Sequence, residues 1–348
     1  MTTTKNLSVA LALLLGATIT GCATDAPGGD DGPDVPPLPE DVDASGMYAM
    51  HSNFDLAANA PGKAGEVARL IIEATDEGDD PSKWILEQII KQLPAGKVKD
   101  FIAGATPLVA GVINDQLLSL APDFVGTVIA LGNDFGAISK DFGLIETLEL
   151  TKAGSDYTAV HTITGANFKI DNVDSDYPFA DYNVPNVVIN DVGVTLTPSS
   201  GKLAVADHKV GLKFGQILRI AVDAAIVPSL DPSAANLGEL LQNKVDCVSL
   251  GESVNAFVVD QIGVGLGPSV FTSACKLGLT AGADLIYTKI GEIDAQALEF
   301  GIVGAAKVLD KNADNKVDTI QSGSWKGTLS YAGTPAPLAD ATFFGSRM

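Results

Sequence analysis

Leu144-Ile-Glu-Thr-Leu-Glu-Leu-Thr-Lys152, followed closely by Tyr157-Thr-Ala-Val-His-Thr-Ile-Thr-Gly-Ala-Asn-Phe-Lys-Ile170, is where this chain of 348 residues turns from helical to extended. Both runs are rich in β-branched and aromatic side chains and are bounded by turn residues, which suits a pleated, half-buried surface. Two further strands are expected at Val184–Thr197 and Lys202–Ala206, with Thr197-Pro198-Ser199-Ser200-Gly201 as the turn between them.

On the N-terminal side, Ser45–Leu56 reads as a first strand. The period then lengthens. Val67, Leu70, Ile71 and Ala74 line one side of a helix. Asp80-Pro81 supplies a cap and a proline at the first helical position for a second helix, striped by Ile85, Leu86, Ile89, Ile90 and Leu93 and ended by Pro94-Ala95-Gly96. Thr106-Pro107 opens a third, carrying Leu108, Val109, Val112, Ile113 and Leu117, and Pro122 opens a fourth that runs to about Gly132.

On the C-terminal side the helical period returns over Leu212–Val227. Asp231-Pro232 repeats the cap signal before Leu237, Leu240, Leu241 and Val245. Gly251–Ile290 reads as helix with a break near Gly263–Pro268. Ala297–Leu309 and Val317–Tyr331 flank a polar loop as a hairpin, and Thr342-Phe343-Phe344 is a short last strand. The order defines an α+β class: an antiparallel sheet built from distant segments and interrupted by two blocks of amphipathic helices. Residues 45–348 are expected to form one domain, with the first and last strands closing the same sheet.

The first 21 residues carry one charge, Lys5, and an apolar run from Leu7 to Leu15, which is signal-peptide length and too short to span a bilayer. Ile19-Thr20-Gly21-Cys22 follows. This tetrapeptide resembles the bacterial lipobox, which implies cleavage before Cys22 and diacylglycerol and acyl attachment there, enough for stable anchoring. Ala23 after the cysteine implies, by the same resemblance, passage to the outer membrane. Residues 22–44 then read as lipidated cysteine and acidic Pro/Gly tether, with seven acidic and no basic side chains. Such a segment has nothing to bury, and as a coil it reaches about 25 Å.

The formal charge is −21, and −22 once Lys5 leaves with the signal. That acidity argues against nucleic acid and against docking on anionic membranes, so the membrane contact expected is through the lipid alone. With Cys22 acylated, only Cys247 and Cys275 remain. A disulfide between them is expected outside the cytoplasm, two buried thiols being the alternative. No histidine lies near either in sequence to complete a zinc site.

Asp310-Lys311-Asn312-Ala313-Asp314-Asn315-Lys316-Val317-Asp318 places oxygen-bearing side chains at alternate positions, the pattern that lets a tight loop wrap a hard cation. It resembles the first nine positions of an EF-hand calcium loop, which implies Asp310, Asn312, Asp314, the Lys316 carbonyl and Asp318 as ligands. Asn315 replaces the usual turn glycine, and Gln321 stands where a bidentate Glu belongs. Weak calcium binding and a plain polar hairpin tip therefore both stand as readings. Gly323-Ser324-Trp325 is similar to the Gly-x-Trp signature of lipocalins but lies at the other end of a much longer chain. Trp325 reads as a core aromatic.

Catalytic motifs do not hold together. Gly193–Lys202 lacks the first glycine of a P-loop, and neither Ser199-x-x-Lys202 nor Ser273-x-x-Lys276 is followed by Lys-Thr-Gly. The three histidines, His51, His161 and His208, are expected in or beside strands, where a structural role is the commoner one. An enzyme is the less favoured class. The element order over Asn114–Pro228 resembles tubular lipid-binding domains, which implies helices lining a curled sheet and a cavity for an apolar or lipid ligand. The alternatives are a structural or adhesive surface protein stiffened by calcium, and a hydrolase without a recognisable motif.

Overall fold

The computed structural model describes residues 38–57, 60–62, 65, 87–104, 122–170 and 172–348. The expected signal peptide, Cys22, most of the tether, and the helices over Val67–Ala74 and Thr106–Leu117 lie outside these residues. Strands β1 (Gly46–Asp55), β2 (Phe142–Ala153) and β3 (Asp156–Ile170) are antiparallel neighbours, followed around the sheet by β5 (Val187–Thr197), β6 (Lys202–Leu212), β7 (Leu298–Leu309), β8 (Thr319–Tyr331) and β10 (Ala339–Arg347). β10 pairs with both β8 and β1, as in Ala341↔Trp325 and His51↔Phe344. The sheet therefore closes into an eight-stranded up-and-down barrel. Two short strands extend it: β4 (Val173–Pro178) continues along the β5-facing edge of β3, and β9 (Thr334–Pro337) pairs with β8.

The α+β composition and the use of the first and last strands to close one sheet agree with the sequence. Closure into a barrel is a more specific outcome than the sheet expected. Several boundaries differ too. β6 runs on to Leu212 rather than stopping at Ala206, because a bulge at 206–207 shifts its side-chain phase instead of ending it. β10 has nine residues rather than three.

Alternate side chains of every barrel strand fill the lumen, apolar at most positions: Tyr48, Met50 and Phe54 on β1, Leu144, Leu148 and Leu150 on β2, Phe300 and Ile302 on β7. Outward rows mix threonine, lysine and glutamate with exposed Met47, Val188, Val303 and Phe344. The lumen is a packed core. No helix among the described residues is long and apolar enough to cross a membrane.

Both helical blocks leave and re-enter the barrel at one end, after β1 and before β2, and after β6 and before β7. The first includes α1 (87–92), α2 (Lys97–Gly104) and α3 (Pro122–Lys140). α3 passes the expected stop at Gly132 because Phe135 and Ile138, each 1% exposed, anchor its last turns. The second block holds α4 (Phe214–Ile220), a π-helical turn over Ala221–Ile226, α5 (Val227–Leu230), α6 (Leu237–Lys244), α7 (Cys247–Ile262) and α8 (Pro268–Ile293). Asp231 caps no helix. It accepts the Ser233 N–H in a turn, and Asn236 caps α6 by accepting from the Glu239 N–H. The break at 263–267 between α7 and α8 is as expected, and Cys247 and Cys275 form a disulfide joining those two helices. The blocks meet the barrel rim through Phe142 against Phe214, the Leu56 N–H on the Ser139 carbonyl, and the Tyr331 hydroxyl on the Ile293 carbonyl.

Candidate functional site

Two arrangements stand out from this frame: a polar string inside the barrel and an apolar seam between the helices. The string begins with strand parity. Glu146 shares the inward face of β2 with Leu144, Leu148 and Leu150, and His161 that of β3 with Tyr157, Ala159 and Ile163. On β6 the inward series is Leu203, Val205, then His208, because the two bulge residues Ala206 and Asp207 let the chain skip one position. Ser52 of β1 and Trp325 of β8 complete the set. Glu146, His161 and Ser52 are at most 1% exposed and His208 is 8% exposed.

These side chains form one continuous run of hydrogen bonds. Trp325 Nε1 donates to Ser52 Oγ at 2.9 Å, and Ser52 Oγ donates to Glu146 Oε2 at 2.9 Å. The same carboxylate oxygen lies 3.1 Å from His161 Nε2, and His161 Nδ1 lies 2.9 Å from His208 Nε2. His208 Nδ1 donates to the carbonyl of Ala206, a residue of its own bulge, at 2.9 Å. The string thus ties together β8, β1, β2, β3 and β6. Burial holds His208 below the ordinary histidine value of 6.5, and neighbouring His161 pushes the same way, while the Ala206 bond and Glu146 oppose it. Trp325 stacks on Phe343 with ring centroids 4.2 Å apart and on His161 at 5.9 Å. A side chain at Gly304 would run into the indole, so glycine there makes its room.

Chemically the string is a satisfied polar core rather than an open site. The two partners of His161 sit on its two different nitrogens, which point apart, so in this arrangement the three side chains cannot converge on one metal ion. Two of the three histidines noted in the sequence do meet. His51 faces outward and stacks on Phe344. Glu146, Ser52 and Trp325 were not foreseen as their partners.

The seam lies between α1, α2, α7 and α8. Ile89, Ile90, Leu93, Ile102, Leu250, Val254, Phe271 and Cys275 line it with Gly251, and all the exposed lining is apolar. Its free volume is about 20 Å³, far below the roughly 300–1,000 Å³ of small-molecule sites. On the outer faces of α7 and α8 and the segment between them, Val248, Val259, Val264 and Leu277 are exposed.

The acidic loop sits at the opposite end of the barrel from the helices. Asp310 accepts the N–H groups of Asp314 and Asn315 at 3.2 and 2.9 Å; Asn312 also accepts from Asp314, at 3.0 Å. Asp314 accepts from Lys316 at 3.0 Å, and Asp318 from Lys311 at 2.7 Å. Asn315 takes the left-handed conformation its place at the turn requires, with φ 63°. Among the described residues no three His, Cys, Asp or Glu side chains are grouped to hold a metal ion. The loop is instead joined to the N-terminal segment: Asp43 N–H donates to the Asn315 carbonyl and Val317 N–H to that of Asp43. Leu38–Ala44, read from sequence as the end of the tether, are docked on the barrel, with Val42 3% and Ala44 0% exposed.

Comparison with protein families, with curated proteins and with solved structures finds no match to this chain.

Proposed function

We propose that this is a lipid-anchored protein of the outer envelope that binds an apolar ligand at the helical end of its barrel and catalyses no reaction. The observation that carries the reading is the seam between α1, α2, α7 and α8, whose exposed lining is wholly apolar. Leu38–Ala44 reach the barrel beside the acidic loop, at the end opposite the helices. Among the described residues, the charged and hydroxyl groups of the lumen string are buried and already hydrogen-bonded to one another. At about 20 Å³ the seam admits no acyl chain as it stands, so binding requires α1 and α2 to part from α7 and α8.

The test is native mass spectrometry of the full chain carrying Cys22→Ser, exported but unacylated, followed by titration with a long-chain fatty acid and with phospholipid vesicles. A co-purifying lipid of fixed stoichiometry, or a saturable fatty-acid complex lost in Leu250→Asp, supports the reading. A bare mass with no uptake from either source overturns it.

A further inference from the structure

The lumen string has a definite proton count. Its bonds from the Ala206 carbonyl to Glu146 comprise three contacts: His208 Nδ1 to Ala206 O, His208 Nε2 to His161 Nδ1, and His161 Nε2 to Glu146 Oε2. Each needs one proton. Two neutral imidazoles supply two, so the complete string holds one more, shared between His161 and Glu146. A fourth proton finds no place. On either nitrogen between the rings it sets two N–H groups against each other across 2.9 Å; on the far oxygen of Glu146 it cancels the charge that faces His161. Removing one of the three leaves two lone pairs opposed.

We propose that this string is a one-proton latch that holds β6 against β3 across the lumen and releases it in acid. His208 is the member through which the next proton arrives, being 8% exposed where His161 is 0% and Glu146 1%. The groups facing it are few. Glu146 comes from β2, His161 from β3, and Asp207 sits beside it on β6 with its side chain outside. β7 presents Ile302 opposite His208 and β5 presents Ile189 opposite His161. Ser52 of β1 and Trp325 of β8 bring no charge, and β10 brings Phe343 against the indole. Among the described residues no lysine or arginine is buried in the lumen to replace the lost bond. β6 leads directly into α4, so release at His208 is felt at the root of the second helical block.

The sign follows from the unfolded chain, whose histidines titrate at their ordinary value. Against the three protons of the folded string, the two histidines of the unfolded chain hold two well above 6.5 and four well below it, so below 6.5 the unfolded state binds more protons and stability falls as the pH falls, while above 6.5 the sign reverses. The unfolding constant of the full chain, measured in urea from pH 7.5 to 5, is expected to rise below 6.5 and to approach about tenfold per pH unit near pH 5.5, where the difference nears one proton. His208→Gln keeps a donor for Ala206 and an acceptor for His161, and is expected to abolish that slope while folding at pH 7.5. Long-range ¹H–¹⁵N spectra of the wild-type rings at pH 7.5 give a readout that needs no variant: His208 should carry a proton on Nδ1 and accept at Nε2. An unchanged slope in His208→Gln, a flat wild-type profile, or a His208 ring protonated at Nε2 alone overturns the proposal.

Discussion

Arg347, the penultimate residue, donates through Nη1 to the carbonyl of Ser45, which immediately precedes β1. Its Nε donates to the Val317 carbonyl at 2.7 Å, and Nη2 reaches the Tyr48 hydroxyl at 2.9 Å and the Asp43 carbonyl at 3.4 Å. One guanidinium thus joins the start of β1, the end of β10 and the loop segment that leads into β8. Arg347→Ala is expected to cost about 2–3 kcal/mol, since several partly buried carbonyls lose a charged donor together. Equilibrium urea denaturation gives the loss. Hydrogen exchange should locate it at residues 43–48, and protection there equal to wild type would contradict the assignment.

Glu146 accepts from both Ser52 and His161, so its replacements should separate by chemistry rather than size. Glu146→Leu leaves two buried polar groups without partners and is expected to destabilise by about 3–5 kcal/mol. Glu146→Gln retains polar contacts and should cost less than half as much. Denaturation of both at pH 7.5 checks this, and equal losses would mean that shape alone matters at this position.

Replacing Cys247 and Cys275 together by serine opens a loop of 28 residues. The chain-entropy model sets the cost at about 3.5 kcal/mol. The barrel amides should keep their protection while those of α7 and α8 lose it, because the bond joins only those helices. Uniform loss over the whole chain would show that the helical blocks and barrel unfold as one.

Asp310 is committed to two backbone donors of its own loop. Asp310→Ala is expected to lower stability by about 0.5–1 kcal/mol, equally in 5 mM calcium and in chelator (concentrations on the order used to saturate weak extracellular sites). A cost seen only in calcium would reveal ligation instead. Thermal denaturation in the two buffers decides between them.

Much of the sheet was legible because strand parity is a local signal, and Leu144–Leu150 and Tyr157–Ile163 express it plainly. What hid the barrel was irregularity. The bulge at Ala206-Asp207 breaks the alternation of β6, the small residues Gly345 and Ser346 disguise the end of β10, and β4 and β9 are too short to register. Tertiary packing extended α3 past Gly132 for the sake of Phe135 and Ile138. The string in the lumen had a readable trace: Glu146 falls in phase with three leucines, and His161 with Ala159 and Ile163. A charge or imidazole on an apolar face asks for a partner. Which partner it finds depends on strands 15 to 273 residues away, and that only closure of the sheet decides.

Closure also governs how these molecules meet one another. An open sheet offers its outermost strands as templates for a neighbour's backbone, whereas the circuit of eight strands gives every barrel strand a neighbour on both sides, the β5–β6 ladder being the short one, over Val194–Thr197 and Lys202–Val205. The short margins that remain belong to β4, with Asp174, Asp176 and a terminal Pro178, and to β9, Thr334-Pro335-Ala336-Pro337, where two of four residues have no N–H to give. Among the described residues no full-length strand is left at an open end of the sheet, so copies crowded side by side are offered little backbone to share.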